Sequence, residues 1–215
     1  MSDLLTGLDK QLVSDAIKEI ESHTSGELIT LITPRSDEYI YIPTLWAGLV
    51  ALMVPALMFF LDAWDDTLIV FLSQIAVFIF CSIVFQFPFI KYALVPNYIK
   101  RMRASRLARD QFFIQGLHHT KARTGILIYV SVAEHYVEII ADKGINDIVS
   151  ESAWVNVVND FVSEIKNKNY TQGFVKAIKS CGTILVEHFP AEIDNVDELP
   201  NHLIELNSKG ETIKG

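Results

Sequence analysis

Two stretches of this sequence carry no charged side chain: residues 42–61, twenty long, and residues 67–90, twenty-four long. At about 1.5 Å per residue, a helix of about twenty residues matches the hydrocarbon thickness of a bilayer. A backbone in lipid must satisfy its own polar groups, so each run is expected to be a membrane-crossing helix, the first kinked at Pro55. A chain of 215 residues is too small to cover both as core helices of a soluble domain. Only Asp62-Ala-Trp-Asp-Asp66 separates the runs, a turn with three acids and no base. Trp46, Trp64 and Tyr92 fall near their ends, where amphipathic rings favour the membrane interface.

Lys91, Lys100, Arg101, Arg103, Arg106 and Arg109 follow the second run. Cytoplasmic flanks carry the excess of Lys and Arg, so this side is expected inside, with both termini, and the acidic turn outside. Contact of Arg101 to Arg109 with anionic lipid headgroups is a second use for the same charges. Neither run contains Asp, Glu, Lys, Arg or His. Such residues mark ion and substrate pathways, so the hairpin is read as an anchor in the lipid bilayer and not as a transporter.

The net charge of -8 argues against a nucleic-acid partner, which needs surplus Lys and Arg to neutralise phosphates. The opening MSDLLTGLDK lacks a basic segment followed by an apolar one, so no cleavable signal is expected. The two cysteines, one in the second apolar run and one on a helical face, suit a reducing compartment and not a disulfide.

Outside the hairpin the pattern alternates between helix and strand. Leu12, Val13, Ala16, Ile17 and Ile20 share a helical face, with Thr6 and Asp9 placed to cap it. Glu27 to Thr33 (ELITLIT) reads as a buried strand ended by Pro34. After the hairpin, residues 105–119 read as a helix with Leu107, Phe112 and Leu117 inward. Residues 125–132 and 135–142 read as a β-hairpin turning at Ala133-Glu134. Two helices follow, one with Trp154, Val158, Phe161, Val162 and Ile165 inward and Ser152 as its cap. The other presents Phe174, Ala177, Ile178, Cys181 and Leu185. A lone strand is unstable, so the strand before the hairpin must pair with those after it. The expected organisation is residues 1–40 and 92–190 forming one cytoplasmic α/β domain, interrupted by a hairpin over 41–91. Residues 191–215 are left as a polar tail in which Leu199 to Leu206 could pack as a short segment.

Three stretches carry a family resemblance: Glu21-Ser-His-Thr-Ser-Gly-Glu-Leu28, Thr124 to Asp142 continuing into Gly144-Ile145, and Tyr170-Thr-Gln-Gly-Phe174. With the order of elements, they resemble the TPM domain, a family named for a thylakoid lumen protein, a photosystem II repair protein and a nematode receptor-modulating protein. The chain is most similar to bacterial integral membrane members, which implies a bacterial inner membrane. The resemblance implies a three-layer α/β/α fold with a small mixed sheet. It implies function more loosely, since relatives include acid phosphatases, calcium binders and assembly or accessory factors for membrane complexes.

For chemistry, the sequence offers no phosphate-binding GxxxxGK[ST] loop and no HExxH motif. The histidines are scattered. Carboxylates at strand ends can converge on a hard cation, and Glu27, Glu134, Asp142 and Asp147 all lie at predicted strand ends or turns. Glu138 alternates away from Val137 and Ile139 and is expected under a helix, paired with a Lys or Arg. The leading expectation is an accessory, assembly or scaffolding protein without a cofactor, presenting its α/β domain to a membrane-protein partner. The alternative is a membrane-tethered phosphatase using calcium or magnesium held by Glu134, Asp142 and Asp147.

Overall fold

The computed structural model describes residues 4–62, 66–191, 199, 202–207 and 210–212. The chain divides into two compact units: residues 1–37 with 101–215, and residues 38–100.

The first unit opens with α1 (Gly7–Glu21), which starts at the expected capping box. The Asp9 amide donates to the Thr6 hydroxyl at 3.3 Å, and the Thr6 amide donates to the Asp9 carboxylate at 3.0 Å. Val13, Ala16 and Ile17 are buried, whereas Leu12 is 50% exposed, so the apolar face lies one residue further round the helix than expected. β1 (Glu27–Thr33) pairs in parallel with β2 (Gly125–Ser131), from Glu27 opposite Gly125 to Thr33 opposite Ser131. β2 pairs antiparallel with β3 (Tyr136–Ala141), and β4 (Leu203–Glu205) adds in parallel to the other side of β1. The mixed sheet has the order β3-β2-β1-β4.

Every residue of β1 and β2 is buried, because helices cover both faces of these strands, and such strands read as continuous apolar runs. α1, α8 (Glu151–Lys166) and α9 (Tyr170–His188) pack on one face around Leu28, Ile32, Ile128, Phe161 and Phe174. On the other, Ala104, Ala108 and Phe112 of α6 (Asn97–Ile114), with Leu117 of a 3₁₀ turn at Leu117–His119, meet Ile29, Leu31, Leu127 and Tyr129. The three-layer α/β/α arrangement is therefore as expected. At Gly182 of α9 the helices nearly touch: a Cβ there would lie 2.5 Å from Ile20 Cδ1 and 2.6 Å from its Cγ2.

Several local expectations need correction. The helix expected over 105–119 starts eight residues earlier, at Asn97, and ends where Gly116 adopts φ 78° and breaks it. The β-hairpin turns over residues 132–135 with His135 at φ 50°. Residues Lys143–Asn146 form a short helix, α7, and Val157 is more deeply buried than Val158. Ser150, not Ser152, precedes α8, and it makes no side-chain capping bond. Within the polar tail the short packed segment expected over Leu199 to Leu206 is present, with Leu203 to Glu205 buried as β4, although its strand character was not expected. There the Glu205 carboxylate accepts the Leu4 amide at 2.8 Å and pairs with Lys10 Nζ at 2.8 Å. Three residues amid polar neighbours give too little pattern to identify a strand.

The second unit contains α2 (Tyr41–Leu52), α3 (Val54–Phe60), α4 (Thr67–Val84) and α5 (Pro88–Leu94). The kink expected at Pro55 is a break at Met53, because in a continuous helix the Pro55 ring would clash with the carbonyl of Ala51 four residues earlier. The second apolar run is not one helix to residue 90, because it breaks at residues 85–87 ahead of Pro88. Tyr41–Phe60 and Thr67–Val84 are each long and apolar enough to cross a membrane, with only 22% and 11% of their most apolar windows buried. Ala47, Ala51 and Val70 are the buried seam of this hairpin. Tyr92 packs edge-on against Tyr39, centroids 5.9 Å apart. Trp64 lies outside the described residues.

Candidate functional site

Open parallel sheets place ligands beyond the carboxyl ends of their strands. Here those ends are Thr33 of β1 and Ser131 of β2. Tyr129 and Ser131 point to the same side of β2, as alternation requires, and chain reversal after Val132 brings Glu134 back over them. Ser131 donates its hydroxyl to Glu134 Oε2 at 2.5 Å, and the Ser36 amide donates to Oε1 at 3.1 Å. The Ser36 hydroxyl lies 2.7 Å from Ser131 Oγ and 2.9 Å from the Tyr129 phenol. Tyr129, Ser131 and Glu134 are 0%, 0% and 8% exposed. Burial, reinforced by the charges of Glu134 and Glu138 and only partly opposed by hydrogen bonds with Ser36 and Ser131, pushes the Tyr129 phenol far above its ordinary range. It therefore stays protonated and acts as a neutral hydrogen-bonding group.

On the same side of the sheet, Glu138 accepts hydrogen bonds from Tyr136 at 3.0 Å and Ser105 of α6 at 3.3 Å. It does lie under a helix as expected, but its hydrogen-bond partners are hydroxyls and not the expected Lys or Arg. Arg103, two residues earlier in α6, pairs with Asp37 at 3.2 Å. The rim is thus a set of hydroxyls and carboxylates that fastens residues 36 and 37 to the sheet and α6. Ser131 touches a carboxylate but is fully buried, so no substrate reaches it as a nucleophile.

The opposite end of the sheet is organised by Asp142. Its carboxylate receives Arg123 Nε at 2.6 Å, Arg123 Nη2 at 2.9 Å and the Lys143 amide at 2.7 Å, and it starts α7. Burial alone would raise its pKa. The bonds from Arg123 and Lys143, with the charges of Arg123 and His118, outweigh burial and hold the carboxyl below its ordinary value. Gly144 fits here because a Cβ would meet Arg123 O at 2.7 Å.

The four carboxylates singled out from the sequence are not brought together. Glu134 and Asp142 lie beyond opposite ends of β3, about 20 Å apart at the usual strand rise. Glu27, buried at the start of β1, shares an end of the sheet with Asp142 but is two strands away, about 10 Å at the usual strand spacing. Asp147 is an exposed residue closing α7. Among the described residues, no group of three or more His, Cys, Asp or Glu is placed to hold a metal ion. Burial lifts the Cys181 thiol to about 12, so it is no thiolate nucleophile at neutral pH. Sequence reasoning missed Ser36, Tyr129 and Ser131; the period-two spacing of Tyr129 and Ser131 was the available signal, and Ser36 in a linker gave none.

Residues 92–184 match the model of the TPM domain. The match spans α6, β2, β3, α8 and α9, so the resemblance carried by Thr124 to Asp142 and Tyr170 to Phe174 is found again there. No curated protein matches the chain. Among solved structures, the NMR structure of BA42 protein from the psychrophilic bacterium Bizionia argentinensis superposes with a TM-score of 0.61 at 24% identity. The match covers 95% of this chain and 97% of that one. At that identity the likeness shows a shared fold, in line with the TPM-like architecture.

Proposed function

We propose that this chain is a membrane-anchored TPM-domain protein that serves a membrane complex as an accessory, assembly or scaffolding factor. The observation that carries the reading is the hairpin. Leu57, Phe59, Phe60, Phe71 and Phe80 are 58%, 67%, 84%, 58% and 66% exposed on helices without a charged side chain. Exposed apolar surface on that scale is unfavourable in water and favourable in acyl chains. The basic residues after the second span favour a domain on the cytoplasmic side. The buried hydroxyl-carboxylate rim and the dispersed acids support a binding and positioning role. A metal-dependent phosphatase built on Glu27, Glu134, Asp142 and Asp147 draws no support from their spacing.

Two steps test this. After alkaline carbonate washing the chain should stay in the membrane pellet, and recovery in the supernatant would refute the anchor. Crosslinking in native membranes should then capture a discrete membrane protein, equally with wild type and with an Asp142→Ala, Asp147→Ala variant. Turnover of phosphomonoesters by the purified full chain, abolished in that variant, would overturn the accessory reading.

A further inference from the structure

Acidic residues outnumber basic ones in this chain, 26 to 18, yet none lies between Asp66 and Asp110. Lys91, Lys100, Arg101, Arg103, Arg106 and Arg109 all fall in that interval, and all but Lys91 are on α6. The packing of α6 decides which of these charges face outward. Ala104, Ala108 and Phe112 form its buried stripe against the sheet, with Gln111 beside them. Away from that stripe, Arg101, Met102, Arg106, Arg109 and Phe113 are exposed.

The exposed arginines are almost unspent. Arg103 is turned back into the domain, where it pairs with Asp37 at 3.2 Å. Arg106 has only Asp110, 4.0 Å away with the two side chains 73% and 59% exposed, a pair of little worth in water. Arg101 and Arg109 make no hydrogen bond or ion pair among the described residues.

We propose that the outward face of α6, through Arg101, Arg106 and Arg109, binds the anionic headgroups of the bilayer that holds the hairpin. The inference rests on the membrane-anchored reading above. Only Val95 and Pro96 separate α6 from α5, so the chain itself keeps headgroups at high effective concentration near this helix. An acid-free patch is attracted to a negative surface even on a protein of net charge -8, because salt screens charges lying more than about 10 Å away. Guanidinium groups match phosphate in a forked geometry. Met102 and Phe113, one turn to either side of Arg106 and Arg109, add apolar surface for the region just beneath the phosphates. A nucleic acid offers the same phosphates without the tether, and an acidic protein would have to find the face from solution.

The test uses the full chain reconstituted in phosphatidylcholine vesicles, with flotation after a carbonate wash to establish insertion. Trace spin-labelled phosphatidylglycerol or phosphatidylcholine then reports, by its motionally restricted fraction, which lipid the protein holds. Phosphatidylglycerol should be preferred about fivefold, the scale of one basic side chain at an anionic surface, and the preference should shrink at high salt. Replacing all three arginines (Arg101→Gln, Arg106→Gln, Arg109→Gln) should bring the ratio close to one. A control that removes the same charge from exposed sites on α1, α8 and α9 (Lys18→Gln, Lys166→Gln, Lys179→Gln) should keep the preference. A chain that floats without preferring phosphatidylglycerol overturns the proposal, leaves the anchor intact and turns attention to an acidic protein on this face. An arginine variant that keeps the preference, or a lysine control that loses it equally, also overturns the proposal alone. A chain that fails to float overturns the anchor and this inference together.

Discussion

Asp142 shows how one side chain can hold a junction. It receives both arms of Arg123 and the first amide of α7, and is 5% exposed itself. Because its folded pKa lies below the ordinary 3.8, the unfolded chain binds the proton more readily in the window beneath that value. Its contribution is therefore complete above about pH 4 and is lost as pH falls through the folded pKa. Arg123 is half exposed, which limits the worth of the pair. Asp142→Asn should cost about 1–2 kcal/mol at pH 7 by denaturant titration, from the lost charge-assisted bonds. The gap between variant and wild type should narrow toward pH 3. A gap that stays constant with pH would show that the charge is not what stabilises the junction. Sequence could nominate Asp142 as an acid at a strand end. It could not reveal that the carboxylate is already occupied by Arg123, because a pairing across nineteen residues leaves no local pattern.

At the scale of elements, periodicity served where an element packs one face over several turns. α9 buries Phe174, Ala177, Ile178, Cys181 and Leu185 as its spacing requires, and β1 and β2 lie where their apolar runs put them. It failed where packing is too brief or too small to print a pattern. β4 is three residues, and the buried stripe of α6 uses Ala104, Ala108 and Gln111 beside Phe112. The α1–α9 contact is equally quiet, since a glycine makes it. Gly182→Ala gains about 1 kcal/mol of helix propensity. Overpacking against a β-branched side chain costs about 1–3 kcal/mol. We expect a net loss of about 1 kcal/mol, read as a lowered thermal midpoint, and a smaller loss when the same change is made in an Ile20→Ala background, which removes Cγ1, Cγ2 and Cδ1 together. An equal loss in both backgrounds would mean that contact with Ile20 is not what opposes the added methyl group.

For the whole molecule, the hairpin behaves as an insertion into a domain whose broken ends are held together. Arg103 and Asp37, flanking the gap on the domain's side, pair at 3.2 Å, so a short linker can bridge the chain there. Replacing residues 38–100 by a brief Gly/Ser linker should yield a domain that stays in solution and unfolds in one cooperative transition. A product that aggregates, or lacks dispersed methyl resonances by NMR, would show that the hairpin is needed for the domain to fold.

The same arrangement imposes an order on synthesis. β1 leaves the ribosome before either apolar helix, but its partner β2 follows roughly 90 residues later, about 5–20 s at ordinary elongation rates. Until then β1 is an unpaired apolar strand, and nothing made before it can complete the sheet. On the membrane-anchored reading proposed above, insertion of the hairpin would therefore precede closure of the domain, and a chain delayed at that step would keep β1 without its partner strand.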